Sequence, residues 1–258
     1  MPKRTPVYYF SHGGPDVMYN TDHAVYPVLQ EIGKEITQKV KPKAVVVFSA
    51  HWMGKPDTIL VNNAEITDII YDFYGFPDYF YEAQYPNVGS TELANKILGL
   101  LSDAGIKAEG TSRGLDHGVW AGFHVSLYHS EDPDAHYRLG QAVAPLRDEG
   151  IVIIGAGMSV HNLRDMARTY DDPTPLPYAV SFDAALKEAA EAPPAERQAR
   201  MRELCWRKDA RQAHPWMDHL LPVHVVAGAA GEDRGTQLWT MQEGCFAWAQ
   251  YRFGDVPS

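Results

Sequence analysis

Three short apolar runs, at 7–10 (VYYF), 44–48 (AVVVF) and 151–154 (IVII), each give way a few residues later to a histidine. Runs this short and this rich in β-branched residues read as buried strands. The unbroken apolarity of 44–48 marks a central parallel strand covered on both faces. The segments that follow are Ser11-His12-Gly13-Gly14-Pro15, Ser49-Ala50-His51-Trp52 and Gly155-Ala156-Gly157-Met158-Ser159-Val160-His161, rich in small residues that end strands. Between the runs the period changes. Val25, Val28, Leu29, Ile32, Ile36 and Val40 predict a helix over 25–40, stopped by Lys41-Pro42. Further helices are expected over 91–101, from Asp132-Pro133 through Leu146, and over 179–190, 194–204 and 220–230, with strands at 58–61 and 246–253. The expected class is therefore α/β: a single domain over 1–258, with a central, mostly parallel mixed sheet flanked by helices and the active site at the strand carboxyl ends.

Composition narrows the function. A formal charge of −10 excludes a general affinity for nucleic acid, which needs a basic face. No apolar run approaches the ~20 residues of a membrane span, and the N-terminus carries no apolar leader, so a cytoplasmic protein is expected. Cys205 and Cys245 lie outside any CxxC spacing and read as two reduced thiols. His12-Gly13-Gly14 resembles an oxyanion loop, but the GxSxG elbow that such a loop serves is absent.

Histidine is the outlier, with 11 in the chain. His12, His51 and His161 each follow a predicted central strand, at the sheet edge where open α/β folds build ligand sites. Imidazoles converging there would suit iron, zinc, copper or nickel. His117 and His219 extend the set, and the spacing of the residues alone goes no further than a candidate metal site.

The stretches SHGGP (11–15), SAHW (49–52), IYDFYGFP (70–77), RGLDHGVW (113–120), HYRLGQAVAPLRDEG (136–150), IIGAGMSVHNL (153–163) and HPWMDHLLPVHVVAGAAGE (214–232) together resemble the LigB superfamily of extradiol dioxygenases, of the DOPA 4,5-dioxygenase type. They span most of the chain in the family's order. The resemblance implies His12, His51 and His219 as metal ligands, with Asp218 as the fallback carboxylate. It implies His161 as the acid/base and His117 as the donor to substrate or oxygen. His214 matches a motif position without an assigned role. The cofactor implied is Fe(II); Zn(II), which is redox-inert, is expected as an alternative occupant of the purified protein. The resemblance also implies a loop and a strand between the positions of Val125 and Ser126. A missing segment is the favoured reading of that junction, because losing a buried strand would strand its neighbours' backbone groups.

The expected reaction opens the ring of a catechol, DOPA-like, caffeate-like or simpler, with O2 to give a semialdehyde. His161 takes a proton from a ring hydroxyl and later returns it to the leaving oxygen. The aromatic stretch at 68–86 is expected to fold as a long loop over the sheet edge. Its Tyr71, Phe73 and Tyr74 either stack on the substrate or pack on the core. The expected partners are the small-molecule catechol and O2, with a homodimer expected from the frequency of such assemblies. The rival readings are a zinc-dependent hydrolase on the same scaffold and a non-enzymatic interaction protein of the superfamily.

Overall fold

A computed structural model describes residues 4–85, 87–119 and 123–257. The apolar runs become β1 (Val7–Ser11), β2 (Ala44–Met53) and, later, β6 (Ile151–Gly157). Between and around them lie β3 (Ile59–Asn62), β4 (Ala108–Thr111), β5 (Phe123–Leu127), β7 (Val160–His161), β8 (Gly235–Trp239), β9 (Gln242–Glu243), β10 (Phe246–Ala247) and β11 (Gln250–Phe253). The helices are α1 (Val25–Lys34), α2 (Thr91–Asp103), α3 (Pro133–Val143), α4 (Met166–Thr169), α5 (Pro177–Ala190), α6 (Pro194–Leu204), α7 (Ala210–Ala213) and α8 (Leu221–Ala230). None of the described helices is long and apolar enough to cross a membrane.

Among the described residues, eight strands form one sheet in the order β4-β3-β5-β2-β6-β1-β11-β8. The middle of the sheet is parallel, β5 on β2, β2 on β6 and β6 on β1, while β3 and β11 join it antiparallel. A parallel centre must be covered on both faces, and alternation along the strands supplies two apolar surfaces. Val7, Tyr9, Val46, Phe48 and Ile153 face a core shared with α2, α3, α5 and α8. Tyr8, Val47, Val152 and Ile154 face the opposite way, against Ile32 and Ile36. A small second sheet, β7-β10-β9, sits beyond the end of β6.

Local differences from the sequence reading have physical causes. The helix expected over 25–40 is α1 followed by a π-helical stretch, Glu35–Val40, closed where Lys41 turns left-handed at φ 50°. The helix after Asp132 is capped as expected, the Asp132 carboxylate accepting from the Asp134 and Ala135 N–H groups. It tightens at Val143 into a 3-10 turn, since Pro145 lacks the N–H an α-helix needs. The single strand expected at 246–253 is divided between two sheets: Trp248 N–H turns to Met241 O and Ala249 N–H to Ser159 Oγ, breaking the ladder between β10 and β11. β4 and β8 went unpredicted because they are half-exposed edge strands with little apolar alternation. At the Val125–Ser126 junction β5 is continuous and fills the place between β2 and β3, Val125 pairing with Phe48 on one side and Val61 on the other. Trp120 and Pro86, which end two of the quoted stretches, lie outside the described residues.

Candidate metal centre

His12 follows β1 directly, and its N–H is held by Gly157 O at the end of β6 (3.0 Å). Gly13, at φ +66°, lets the chain turn away there; a Cβ would lie 2.2 Å from the Trp248 ring. His51 is near the end of β2, where the register against β5 slips between Phe48 and Met53 and splays the strand from its neighbour. His219 lies just before α8. Its carbonyl accepts from Met158 N–H (3.0 Å) and Tyr9 Oη (3.0 Å). A Cβ on Gly157 would stand 2.2 Å from that carbonyl, so only glycine allows the His219 segment this close to β6.

These three imidazoles converge, with ligand nitrogens all within 4.8 Å of one another. Each presents the same edge. His12 Nδ1 donates to Gly13 O (2.7 Å) and His219 Nδ1 donates to Asp218 Oδ1 (3.0 Å). His51 Nδ1 faces Asp72 Oδ2 at 3.2 Å, off the line of a good hydrogen bond. The protons therefore sit on Nδ1 and the lone pairs on Nε2. His51 Nε2 and His219 Nε2 approach to 3.2 Å, and His12 Nε2 is buried without a hydrogen-bond partner. Lone pairs facing one another in a buried pocket repel unless a cation lies among them, so this donor set fits a metal ion. Burial, reinforced by the surrounding imidazoles, holds His12 and His219 well below the usual histidine range and keeps their lone pairs available.

Asp218 stands behind His219, its Oδ1 taking both the Nδ1 proton and the backbone N–H (2.7 Å). It holds the His219 ring by its Nδ1 edge. A grouping of His161, Asp218 and His219 also has metal-ligand spacing, but that carboxylate oxygen is already engaged.

His161 stacks on His219 with ring centroids 3.7 Å apart and planes 14° apart. Burial and the neighbouring His219 lower its pKa, favouring the neutral base. His117 lies 4.1 Å from the His51 ring, its Nδ1 donating to Asp72 Oδ1 (2.8 Å). Burial alone would raise the Asp72 carboxyl, but its contacts with His117 and His51 outweigh this and hold it well below the usual carboxylate range. Asp72 thus braces two imidazoles at once. Beneath His51, the fully buried Asp116 accepts from Ser49 Oγ (2.9 Å) and Arg113 (3.2 Å), and Arg113 also donates to His51 O (3.2 Å). His214 is fully buried, bonded to Ser159 O (3.0 Å) and packed on Phe182, and is not among the described residues lining the cavity.

The centre opens into a cavity of about 620 Å³ whose walls include His51, His117, His161 and His219. Its aromatic surfaces are Phe76, Tyr170, Phe246 and Trp248. Tyr71, Phe73 and Tyr74, expected to bind substrate, are not among its described lining residues. Tyr71 Oη donates to Ala83 O (2.7 Å), Phe73 packs on Phe76 and Tyr81, and Tyr74 is 91% exposed. Phe73 also packs edge-on against His117 (5.8 Å), and of the loop's described residues Phe76 lines the cavity. A separate cleft of about 580 Å³ around Gly105, Tyr128 and Arg138 carries no such cluster among its described lining residues.

The family described as the catalytic LigB subunit of aromatic ring-opening dioxygenase matches residues 5–254. The chain belongs to the LigB family. Proteins named 4,5-DOPA dioxygenase extradiol from Beta vulgaris and Mirabilis jalapa are 36% and 34% identical to it. They match 95% of this chain in each case, and 95% and 96% of their own lengths. One of the same name from Escherichia coli K12 is 30% identical over 88% of this chain and 85% of its own. The crystal structure of an uncharacterized E. coli K12 protein superposes with a TM-score of 0.74 at 26% identity, covering 97% of this chain and all of that one. Asp72 and Asp116 lie inside two of the quoted motifs of this LigB chain, but Glu243 lies outside them, and no spacing marks any of the three as a partner of the histidines. Each is an ordinary acid until the loops close around the histidines.

Proposed function

We propose that this LigB-family protein is an extradiol dioxygenase that opens a catechol ring with O2, both oxygen atoms entering the semialdehyde product. His12, His51 and His219 would hold an Fe(II) ion through Nε2. Bound there, iron would supply a redox-active centre with open positions for a catechol and O2. Zinc suits the same imidazoles but brings no redox chemistry.

The observation that carries this reading is the convergence of three Nε2 lone pairs at one end of a cavity of ring-accommodating size, beside an imidazole, His161, that is not needed as a ligand. His161 takes the proton of a ring hydroxyl, because it is neutral and lines the cavity. Once charged, it returns that proton to the oxygen that leaves in ring opening. His117, held by Asp72 through Nδ1–H, donates to the developing oxygen charge through an Nε2–H in its doubly protonated form. Phe76, Phe246 and Trp248 flank the ring and keep water from it.

The test is anaerobic reconstitution with Fe(II), then exposure to air with a catechol panel in an oxygen electrode. The expected result is a yellow product with one O2 consumed per catechol. Iron-loaded protein that consumes no O2 with any catechol would overturn the reading.

A further inference from the structure

The small sheet beyond β6 places three cavity residues in one row. Phe246 on β10 pairs with His161 on β7 and with Glu243 on β9. Directly paired residues share a face, and all three line the cavity. With strands about 4.8 Å apart, the backbone at Glu243 lies about 10 Å across the sheet from that at His161. The Phe246 ring stands between them, 5.7 Å from His161. That is the reach of a ring plus a two- or three-atom tail.

Glu243 is seated for a ligand. Val25 N–H donates to His23 Nδ1 (3.2 Å), so that nitrogen carries no proton. His23 Nε2–H then donates to Glu243 Oε2 (3.2 Å). A neutral imidazole fixes the carboxylate through one of its two oxygens without cancelling its charge, and Glu243 lines the cavity. The other charged lining residue is Asp16, and the described lining includes no lysine or arginine. Arg164 and Arg168 share the segment that carries Leu163 and Met166, but they do not line the cavity. The described lining therefore carries carboxylates and no lysine or arginine to pair with an anion.

We propose that Glu243, held by His23, determines specificity by receiving a primary ammonium group on the substrate's tail, so that catechols with cationic tails are taken in preference to those ending in a carboxylate. This rests on the ring-opening reading above, which places the catechol oxygens at the histidine end.

The test compares three catechols of matched shape, with 4-(2-aminoethyl), 4-ethyl and 4-(2-carboxyethyl) tails. Anaerobic equilibrium binding to metal-loaded protein is measured first, and kcat/KM in air second. The ammonium tail is expected to bind about tenfold more tightly than the carboxylate tail, with ethyl between. Glu243→Gln should bring that ratio to within about twofold, and Glu243→Lys should reverse it; metal content confirms that each variant is folded. Equal or tighter binding of the carboxylate tail by wild type overturns the proposal, as does a ratio that survives Glu243→Gln. A ranking in binding without ring opening sinks the reaction and leaves the subsite. Ring opening without a ranking does the reverse, and absence of binding by all three catechols sinks both.

Discussion

Replacing His161 and replacing His12 separate two kinds of histidine in one cluster. His161→Ala should keep its metal and lose turnover by on the order of 10²–10⁴, since its ring stacks on His219 and lies outside the proposed ligand set. His12→Ala should lose metal along with activity, because its orphaned Nε2 is one of the three proposed donors. Metal analysis beside single-turnover assays distinguishes the two; full metal occupancy in His12→Ala would contradict the assignment. Asp72 acts one atom further out. Asp72→Asn removes the charge facing His51 and His117, and metal affinity measured by chelator competition should fall by roughly 10–100-fold. An unchanged affinity would reduce Asp72 to a loop anchor. At this scale the sequence showed His12, His51 and His161 by position, because strands that end at one sheet edge bring their following residues together. His117 and His219 could be added to the set but took their roles from the family resemblance, since neither follows a recognisable strand. The choice for Tyr71 and Phe73 between substrate and core stayed open in the sequence because a loop's path, unlike a strand's alternation, leaves no period; both pack against core residues.

Elements hold the donors where side chains alone cannot. α8 begins two residues after His219 and is buried along its whole length, and at its far end the fully buried Arg147 satisfies carbonyls that the helix leaves open. Its guanidinium donates to Ala229 O (2.8 Å), Ala230 O (3.0 Å) and Thr5 O (2.7 Å) and pairs with Asp233. Arg147→Ala should cost roughly 3 kcal/mol in urea denaturation, from buried acceptors left without donors; a loss below about 1 kcal/mol would show that water replaces the guanidinium. The elements with strong periods or continuous apolar runs were legible: β1, β2, β6, α2, α5, α6 and α8 fall close to their expected places. The small sheet was not, because two-residue strands carry no periodic signal and arise only where the C-terminal chain crosses the end of β6.

Across the whole molecule, histidines away from the cluster make stability depend on pH. Burial pushes His124 and His136 down to about 4 and His214 down to about 3. Unfolded, each takes up a proton near ~6.5. The unfolded chain therefore binds more protons below that value, so this contribution is complete above about pH 6.5 and is lost as the pH falls toward 4 and then 3. The metal-free protein should weaken by on the order of 1 kcal/mol per pH unit for each such histidine in that window. Urea midpoints at pH 7, 6 and 5 measure it, and a flat profile would contradict the burial. His136→Gln should make the slope shallower.

The three histidines proposed to hold the ion come from residues 12, 51 and 219, so on that assignment the first and last portions of the chain must meet before it can be gripped. A nascent chain that has emerged only through α6 owns two of the three and has no closed site. Capture of the ion is then a late event of biogenesis, and a loaded protein certifies that its carboxyl-terminal quarter has docked. In refolding experiments uptake should lag behind the gain of helical signal, and uptake that precedes it would place the meeting of the chain's two ends earlier than this wiring allows.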